Sequence, residues 1–330
     1  MPPAIEAIDV ARDYAGASAL NGVSVSIQPG ELFGLVGPDG AGKTTLLRIL
    51  AGLLSASRGS VRIDDLDVGT NTALVKERIG YMSQRFSLSE TLTVAENLLY
   101  VSEVWHVPPG QRRTRVTRLL EFSRLGPFQD RLTRNLSGGM KQKLSLCACL
   151  IHQPRTLLLD EPTIGVDPVS RRDFWLILYD LMQEGSTILL STPYMDEAER
   201  CGRVGFLMDG RLIACGSPAE LRGQLGTVIL DLRCADSRTA RRMLRRVPGM
   251  GDAVTFGEHL HVAIPRQGLD VPAAVAAARA AGVDLQDWRV REPSLEDVFL
   301  AYTRRSTEVA KSGASGSPLL SGEGQGEVIR

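Results

Sequence analysis

The 330-residue sequence has no long hydrophobic run, no excess of charge and few cysteines. No stretch approaches the ~18 consecutive apolar residues that a membrane-spanning helix needs, and the first residues show neither the basic segment nor the apolar core of a signal peptide. Lys plus Arg and Asp plus Glu each number 38, so the formal net charge is zero. A balanced chain lacks the electrostatic footprint of a general nucleic-acid binder. We therefore expect a cytosolic protein that does not bind nucleic acid.

Cysteine is scarce, and no two cysteines form a C-x-x-C pair. Cys147 and Cys149 fall on one predicted helix, where a spacing of two residues points their side chains about 200° apart. That geometry disfavours a metal site. We expect free thiols in a reducing compartment at all five positions, namely Cys147, Cys149, Cys201, Cys215 and Cys234.

The most informative segment that is present is a glycine-rich loop between an apolar run and a helix-forming run. Residues 32–36 predict a strand, and residues 46–50 predict a helix. Glycines let the loop backbone curl until successive N–H groups point at a polyphosphate, and the helix N-terminus adds partial positive charge. Lys43 supplies a full charge to the β- and γ-phosphates, and the Thr44 hydroxyl supplies a ligand for Mg²⁺. The predicted nucleotide-binding residues are Gly37, Pro38, Asp39, Gly40, Ala41, Gly42, Lys43, Thr44 and Thr45.

Apolar strands alternate with helical stretches up to about residue 225, which predicts an α/β nucleotide-binding domain over residues 1–225. The runs at 157–160 and 187–192 are almost continuously apolar, as in strands that are covered on both faces. Between about 85 and 150 the pattern becomes helical. We expect a helical subdomain there, inserted into the nucleotide-binding core.

Residues 226–305 are predicted to form a small α+β module. The predicted elements are strand 227–232, helix 237–247, strand 252–256, strand 259–264, helix 271–281 and strand 284–290. This βαββαβ order is typical of a ferredoxin-like module. Residues 306–330 are expected to be a flexible linker or tail, since ten of the fifteen residues 312–326 are Gly, Ser or Pro. The apolar doublet at 328–329 suggests that a further strand begins beyond the linker.

A second anion-binding segment lies at residues 136–142, where the sequence LSGGMKQ opens a predicted helix. The Ser137 hydroxyl and the free N–H groups of the first helical turn form this second site. One chain needs a single γ-phosphate site, whereas two chains that face each other use two, each chain covering the nucleotide of the other. This constellation resembles the signature of the ATP-binding-cassette (ABC) family, and the resemblance extends over residues 5 to about 225. It assigns to the partner's ATP the residues Ser137, Gly138, Gly139 and Gln142.

The resemblance implies roles for further residues. Asp160 corresponds to the residue that holds Mg²⁺ through water, and Glu161 to the catalytic carboxylate that polarises the attacking water. Gln84 matches the glutamine that links Mg²⁺ to the helical subdomain, and residues 165–167 resemble the loop that touches the opposite subunit. Tyr14 sits where an aromatic ring stacks on adenine. The implied fold is a P-loop NTPase of the ABC ATPase type, its ligands are ATP and Mg²⁺, and the metal residues are Thr44, Gln84 and Asp160.

Two positions depart from the family pattern. Asp39 replaces the more usual Asn of the phosphate loop, and because the backbone does most of the work there, we expect weakened affinity at worst. Pro193 stands where the family carries a histidine whose imidazole bonds the γ-phosphate. Proline offers neither a side-chain donor nor an N–H group. We therefore expect slow hydrolysis at the site that this chain lines.

The segments at 82–88, 196–200 and 293–299 resemble the daunorubicin-resistance type of bacterial exporter ATPase, and most of all the first half of a tandem-cassette protein. This resemblance implies two partners, a second ABC cassette and a polytopic ABC-2-type permease, and a peripheral position on the inner face of the cell membrane. The cargo would be drug-like or lipid-like molecules. Two alternatives remain, a regulatory cassette that binds ATP with little hydrolysis and a soluble ABC ATPase outside transport. A GTPase is disfavoured, since no Asn-Lys-x-Asp sequence is present.

Overall fold

The computed structural model describes residues 2–245, 247, 250, 253–267 and 270–312, with side chains as far as residue 304. The chain divides into two compact units, Met1–Gln224 and Leu225–Arg330. Each unit has its own hydrophobic core.

The first unit is built on a six-stranded sheet in the order β10-β9-β3-β8-β7-β6. All neighbours are parallel except the edge pair β10 and β9. The strands are β3 (Leu32–Val36), β6 (Ile79–Met82), β7 (Thr156–Asp160), β8 (Thr187–Thr192), β9 (Arg203–Met208) and β10 (Arg211–Gly216). Every residue of β3, β7 and β8 is buried, as expected for central strands of a parallel sheet. Their carboxyl ends therefore meet at one edge, which is where ligands bind in such sheets.

A second, antiparallel sheet in the first unit has the order β2-β1-β4-β5. Its strands are β1 (Ile5–Tyr14), β2 (Ala17–Ile27), β4 (Arg58–Ile63) and β5 (Leu66–Asp67). Buried residues of this sheet share one core with Phe33 and Leu35 of β3 and with Leu46, which follows the glycine-rich loop. The loop is thus supported from both sheets.

Eight α-helices are described in the first unit. They are α1 (Lys43–Leu50), α2 (Thr72–Arg78), α3 (Val94–Val104), α4 (Pro109–Phe122), α5 (Gly138–Leu150), α6 (Pro168–Gln183), α7 (Met195–Ala198) and α8 (Pro218–Gln224). Two short 3₁₀ turns lie at Gly126–Phe128 and Thr133–Asn135. Helices α3, α4 and α5 contribute Leu98, Leu120 and Leu144 to a separate apolar cluster. The stretch in which we expected a helical subdomain therefore contains three helices with a core of their own.

The second unit contains a four-stranded antiparallel sheet in the order β12-β13-β11-β14. Its elements are β11 (Thr227–Cys234), α9 (Ser237–Leu244), β12 (Ala253–Phe256), β13 (His259–Pro265), α10 (Val271–Ala280), β14 (Leu285–Arg291) and α11 (Leu295–Ser312). Alternate residues of β11 and β13 point into the core, including Leu230, Leu232, Leu260 and Val262.

Several predicted boundaries in the second unit differ from the structure by one or two residues, and two differ by three or more. Helix α9 ends at Leu244 instead of 247, with Arg245 as its C-cap. Helix α11 continues to Ser312, so residues 306–312 are helical where we expected the flexible segment to begin. Glu308, Ala310 and Lys311 are good helix formers and prolong the helix up to the glycine-rich stretch. The rest of the predicted linker, including the doublet at 328–329, lies outside the described residues.

The prediction of free thiols is confirmed, because all five cysteines are unpaired. Burial raises the pKa of Cys147 to about 11 and that of Cys149 to about 12. These thiols are therefore protonated at neutral pH and poor nucleophiles. Among the described residues, no helix is both long and apolar enough to cross a membrane.

Candidate nucleotide-binding site

The glycine-rich loop connects β3 to α1 and leaves its tip open to solvent. Pro38, Asp39 and Gly40 are exposed, whereas the flanking residues of the strand and helix are mostly buried. A Cβ atom on Gly37 would lie 2.2 Å from the carbonyl oxygen of Leu207, so no side chain fits there. Gly42 caps the helix with φ = 106°, a conformation that side chains rarely permit. These glycines allow the chain to turn directly into α1, with the first N–H groups of the helix at the loop.

Lys43 is the first residue of α1, and its ammonium group is fully engaged within the protein. Its Nζ donates to the carbonyl oxygens of Gly37 at 2.8 Å and Pro38 at 3.0 Å. It also forms an ion pair of 3.1 Å with Oε1 of Glu161, and the two side chains are 4% and 5% exposed. Three contacts match the three protons of an ammonium group. The lysine is therefore held at the loop, ready to exchange one of these contacts for an oxygen of a bound phosphate.

Asp160 ends β7 beside Thr44 and Ser191. Its Oδ1 accepts hydrogen bonds from Thr44 Oγ1 at 3.0 Å and from Ser191 Oγ at 2.8 Å. Its Oδ2 is buried and has no hydrogen-bond partner. A buried carboxylate oxygen without a partner, next to a threonine hydroxyl, fits a hard cation such as Mg²⁺, which prefers oxygen ligands. The residues present thus suit the metal that the sequence implies.

Glu161 follows Asp160 and faces the loop across the end of the sheet. Its Oε2 accepts a hydrogen bond of 2.8 Å from Gln84 Nε2, while Oε1 is paired with Lys43. Its backbone N–H donates to Ser191 Oγ at 3.0 Å. The structure therefore brings together five of the residues singled out in the sequence: Lys43, Thr44, Gln84, Asp160 and Glu161.

Sequence reasoning missed Ser191, which contacts both acidic residues. The signal was available, since Ser191 and Thr192 are polar residues at the carboxyl end of an otherwise apolar strand. In an open parallel sheet that position faces the ligand edge. What could not be read is the pairing of β7 with β8, which places Asp160 opposite Ser191.

Tyr14 lies at the end of β1, far in sequence from the acidic cluster formed by Asp160 and Glu161, and is 47% exposed. The guanidinium of Arg12 lies 4.8 Å from the centre of its ring. This cation–π contact orients a ring that remains accessible from solvent, as a stacking surface for a base requires.

The segment at 136–142 forms the start of α5, as the sequence predicts. Ser137 is its N-cap and accepts a hydrogen bond of 3.3 Å from the N–H of Met140. A Cβ atom on Gly139 would lie 2.4 Å from Cβ of Ser170, so this glycine permits a close approach to α6. Ser137 and Gly138 are exposed, and Gln142 is half-buried.

The loop at 165–167 lies beside this segment, because a Cβ atom on Gly138 would be 3.5 Å from the carbonyl oxygen of Gly165. Asp167 caps α6 and accepts hydrogen bonds from the N–H groups of Val169 and Ser170. Hydrogen bonding by Ser170 lowers the pKa of Asp167. The two segments that the sequence predicts to contact the opposite subunit, residues 136–142 and 165–167, are thus neighbours on the surface of one unit.

Comparison with known proteins agrees with this arrangement. Residues 20–164 match the ABC transporter family. The Escherichia coli (strain K12) protein named "Probable multidrug ABC transporter ATP-binding protein YbhF" is 39% identical over 297 residues, or 89% of this chain. The chain spans only 50% of that relative's length. The "Daunorubicin/doxorubicin resistance ATP-binding protein DrrA" of Streptomyces peucetius is 35% identical over 319 residues, covering 93% of this chain and 96% of that protein.

A solved structure has the same fold. The dimeric post-hydrolysis state of the ATP-binding cassette MJ0796, bound to ADP and Pi, matches with a TM-score of 0.60 at 26% identity. The match covers 64% of this chain and 98% of that cassette. Together with the phosphate loop, the paired acids and the exposed segment at 136–142, these similarities show that the chain belongs to the ATP-binding proteins of the ABC transporter family.

Proposed function

We propose that this chain binds ATP with Mg²⁺, hydrolyses it and thereby powers export through a separate membrane protein. The observation that carries the proposal is the buried contact of Lys43 with Glu161 at 3.1 Å, beside an Asp160 oxygen that has no partner. Glu161 as the base, Lys43 as the cation for phosphate and Asp160 as the metal-binding carboxylate then lie together at the carboxyl edge of the parallel sheet.

The charges of the site suggest how nucleotide arrival starts the reaction. Before ATP binds, Lys43 neutralises Glu161, so the carboxylate is occupied. The terminal phosphates compete for the Lys43 ammonium and release one Glu161 oxygen, which can then orient a water molecule for attack. Gln84 continues to donate its hydrogen bond to Oε2 of Glu161 and so restricts the orientation of the Glu161 carboxylate. Mg²⁺, when bound at Asp160 and Thr44, neutralises charge on the phosphate oxygens.

We infer that two cassettes act as a pair. Ser137 and Gly138 are exposed next to the loop at 165–167, where another protein can contact them. The relative MJ0796 is described as dimeric when bound to ADP and Pi. A second cassette, either another copy or the other half of a tandem protein, would receive this segment over its own nucleotide.

The membrane partner and the cargo are inferred from the relatives. The names of YbhF and DrrA refer to multidrug transport and to drug resistance. We propose an ABC-2-type permease as the partner, drug-like or lipid-like molecules as the cargo, and a peripheral position on the inner face of the cell membrane.

We propose that the second unit is an accessory module of ferredoxin-like architecture. Its strand order β12-β13-β11-β14, with all neighbours antiparallel, supports that assignment. Among the described residues, no group of His, Cys, Asp and Glu side chains is arranged to hold a metal ion. We propose that the module regulates the cassette or docks a partner.

A regulatory cassette with little hydrolysis is the second candidate, and Pro193 favours it. Proline at this position offers no donor to a γ-phosphate. The Glu161 carboxylate, placed against Lys43 and Gln84, favours hydrolysis instead.

Phosphate release by the 330-residue chain with MgATP, measured alone and with a partner cassette added, separates the two candidates. We expect slow release that Glu161→Gln abolishes while nucleotide binding is kept. The matched control is Glu77→Gln, which changes an exposed carboxylate of α2 and should leave both quantities unchanged. Binding without release by the unmodified chain, even with a partner cassette present, would favour the regulatory candidate.

A further inference from the structure

A buried carboxylate outside the acidic cluster joins the loops that leave two neighbouring strands. Glu197 lies in α7 and is fully buried. Its Oε2 accepts a hydrogen bond of 2.7 Å from Thr192 Oγ1 at the end of β8. Its Oε1 accepts a hydrogen bond from Thr163 Oγ1 in the loop after β7. Because β7 and β8 are adjacent, Glu197 ties together the two chain segments that flank the catalytic edge.

Arg171 of α6 lies beside this buried carboxyl group. Nε of Arg171 lies 3.7 Å from Oε1 of Glu197, and its guanidinium stacks over the ring of Tyr194 at 4.6 Å. Buried carboxylates are tolerated when they are hydrogen-bonded and compensated by an opposite charge. Glu197 satisfies both conditions and holds both hydroxyl groups.

Glu161, two residues before Thr163, has a backbone that needs such a support. Its φ is 48°, in the left-handed region that residues with a side chain rarely adopt. A strained conformation of this kind persists only where its surroundings hold it. On one side the Glu161 N–H is bonded to the carbonyl and hydroxyl oxygens of Ser191. On the other side the bond from Thr163 to Glu197 fixes the chain just beyond the strained residue.

We propose that Glu197 is a positioning residue for ATP hydrolysis, which holds the Glu161 carboxylate where it can orient the attacking water. Glu197 does not touch the nucleotide in this scheme and acts only through Thr163 and Thr192. The inference rests on the proposed hydrolytic function. The link through Glu197 explains why the Glu161 backbone can keep its conformation when the ion pair between Lys43 and the Glu161 carboxylate breaks.

The test compares kcat, KM and nucleotide affinity in the 330-residue chain. Glu197→Ala should lower kcat by about 10- to 100-fold, the range expected when a catalytic group is misplaced by about 1 Å. KM and the Kd for ATP should change by less than about twofold, because Lys43 and the phosphate loop are untouched. Glu197→Gln should recover part of the loss, since an amide can still bond both threonine hydroxyls.

Two further variants keep the test decisive. Thr163→Val removes one arm of the link with little change in shape, and should lower kcat even where Glu197→Ala does not fold. Asp196→Asn is the matched control, because it neutralises the exposed neighbouring carboxylate of the same helix, 3.7 Å from Arg171. It should leave kcat unchanged.

Hydrogen exchange gives a readout that does not depend on turnover. Amides of residues 161–167 should exchange faster in Thr163→Val and Glu197→Ala than in Asp196→Asn. Unchanged exchange, an unchanged kcat, or a parallel loss of kcat and ATP affinity would each overturn the inference. Failure of the unmodified chain to release phosphate with a partner cassette present would instead contradict the proposed function, so the two failures are distinguishable.

Discussion

Replacing Lys43 by alanine tests how the site exchanges a protein contact for a phosphate contact. The substitution removes an ammonium group that is 4% exposed and bonded to Gly37, Pro38 and Glu161. It has two separate consequences. ATP loses the cation that binds its terminal phosphates, and Glu161 loses its ion-pair partner while it stays buried.

The loss of affinity follows from a difference between two bonded states. A hydrogen bond to a charged group contributes about 1.5–3 kcal/mol. Because Lys43 already makes three contacts before ATP arrives, only the surplus of the phosphate contact counts. We therefore expect a loss of about 2 kcal/mol, which corresponds to roughly a 30-fold increase in Kd. Removing one partner of a buried ion pair costs about 3–5 kcal/mol of folding stability. This second loss is measured by denaturant unfolding, separately from the Kd for ATP.

Calorimetric titration with MgATP and denaturant unfolding should be run on three variants. Lys43→Ala should show both losses. Lys43→Ala combined with Glu161→Gln should recover much of the stability, since the stranded charge is gone, but should not recover affinity. Lys76→Ala, on α2, is the control and should behave like the parent. Equal Kd values for Lys43→Ala and the parent, or recovered affinity in the double variant, would refute the exchange argument.

Three other predictions concern the pair of sites and the second unit. With a partner cassette present, Ser137→Arg should lower steady-state ATPase activity more than Glu161→Gln does. The first variant blocks the ATP site of the partner, whereas the second disables only the slow site of this chain. The opposite order would show that the site lined by Pro193 performs most of the hydrolysis. Pro193→His should raise the rate at this chain's own site by up to ~10²-fold, about 2.7 kcal/mol of transition-state stabilisation, measured as single-turnover phosphate release. A chain that ends at Gly226 should still bind ATP by titration, since the phosphate loop and its supporting sheets lie in the first unit; a folded truncation without affinity would contradict this division.

Much of the site could be predicted because its signals are local. The loop at 37–45 lies between a buried strand and a helix, and its glycines are needed where the chain approaches Leu207 and turns with positive φ. Asp160 ends an apolar strand and Glu161 follows it, so their place at the sheet edge could be read from the pattern, whereas their roles came from the family resemblance.

Contacts that depend on strand pairing could not be predicted in the same way. Ser191 meets Asp160 and Glu161 across 30 or 31 residues of sequence, and Glu197 meets Thr163 across 34. A serine or glutamate at such a position has no local feature that distinguishes it from a cap or a surface residue. Only the register of β7 against β8 brings these groups together.

The ends of helices α9 and α11 were also predicted wrongly, because composition and helix propensity point to different boundaries there. The Gly, Ser and Pro content of residues 312–326 led us to begin the linker at residue 306, yet α11 runs on to Ser312. Helix α9 shows the reverse, since an apolar residue at 247 suggested continuation, and the helix stops at Leu244.

The separate core of the second unit has an evolutionary consequence. Leu230, Leu232, Leu260 and Val262 of its sheet pack with Ala240 and Leu244 of its own helix α9, and the apolar core around Leu46 in the first unit does not draw on them. A lineage can therefore duplicate, trim or replace this piece of the gene without repacking the residues that support the phosphate loop. Mutations in the core of the second unit and mutations around the phosphate loop can therefore accumulate independently.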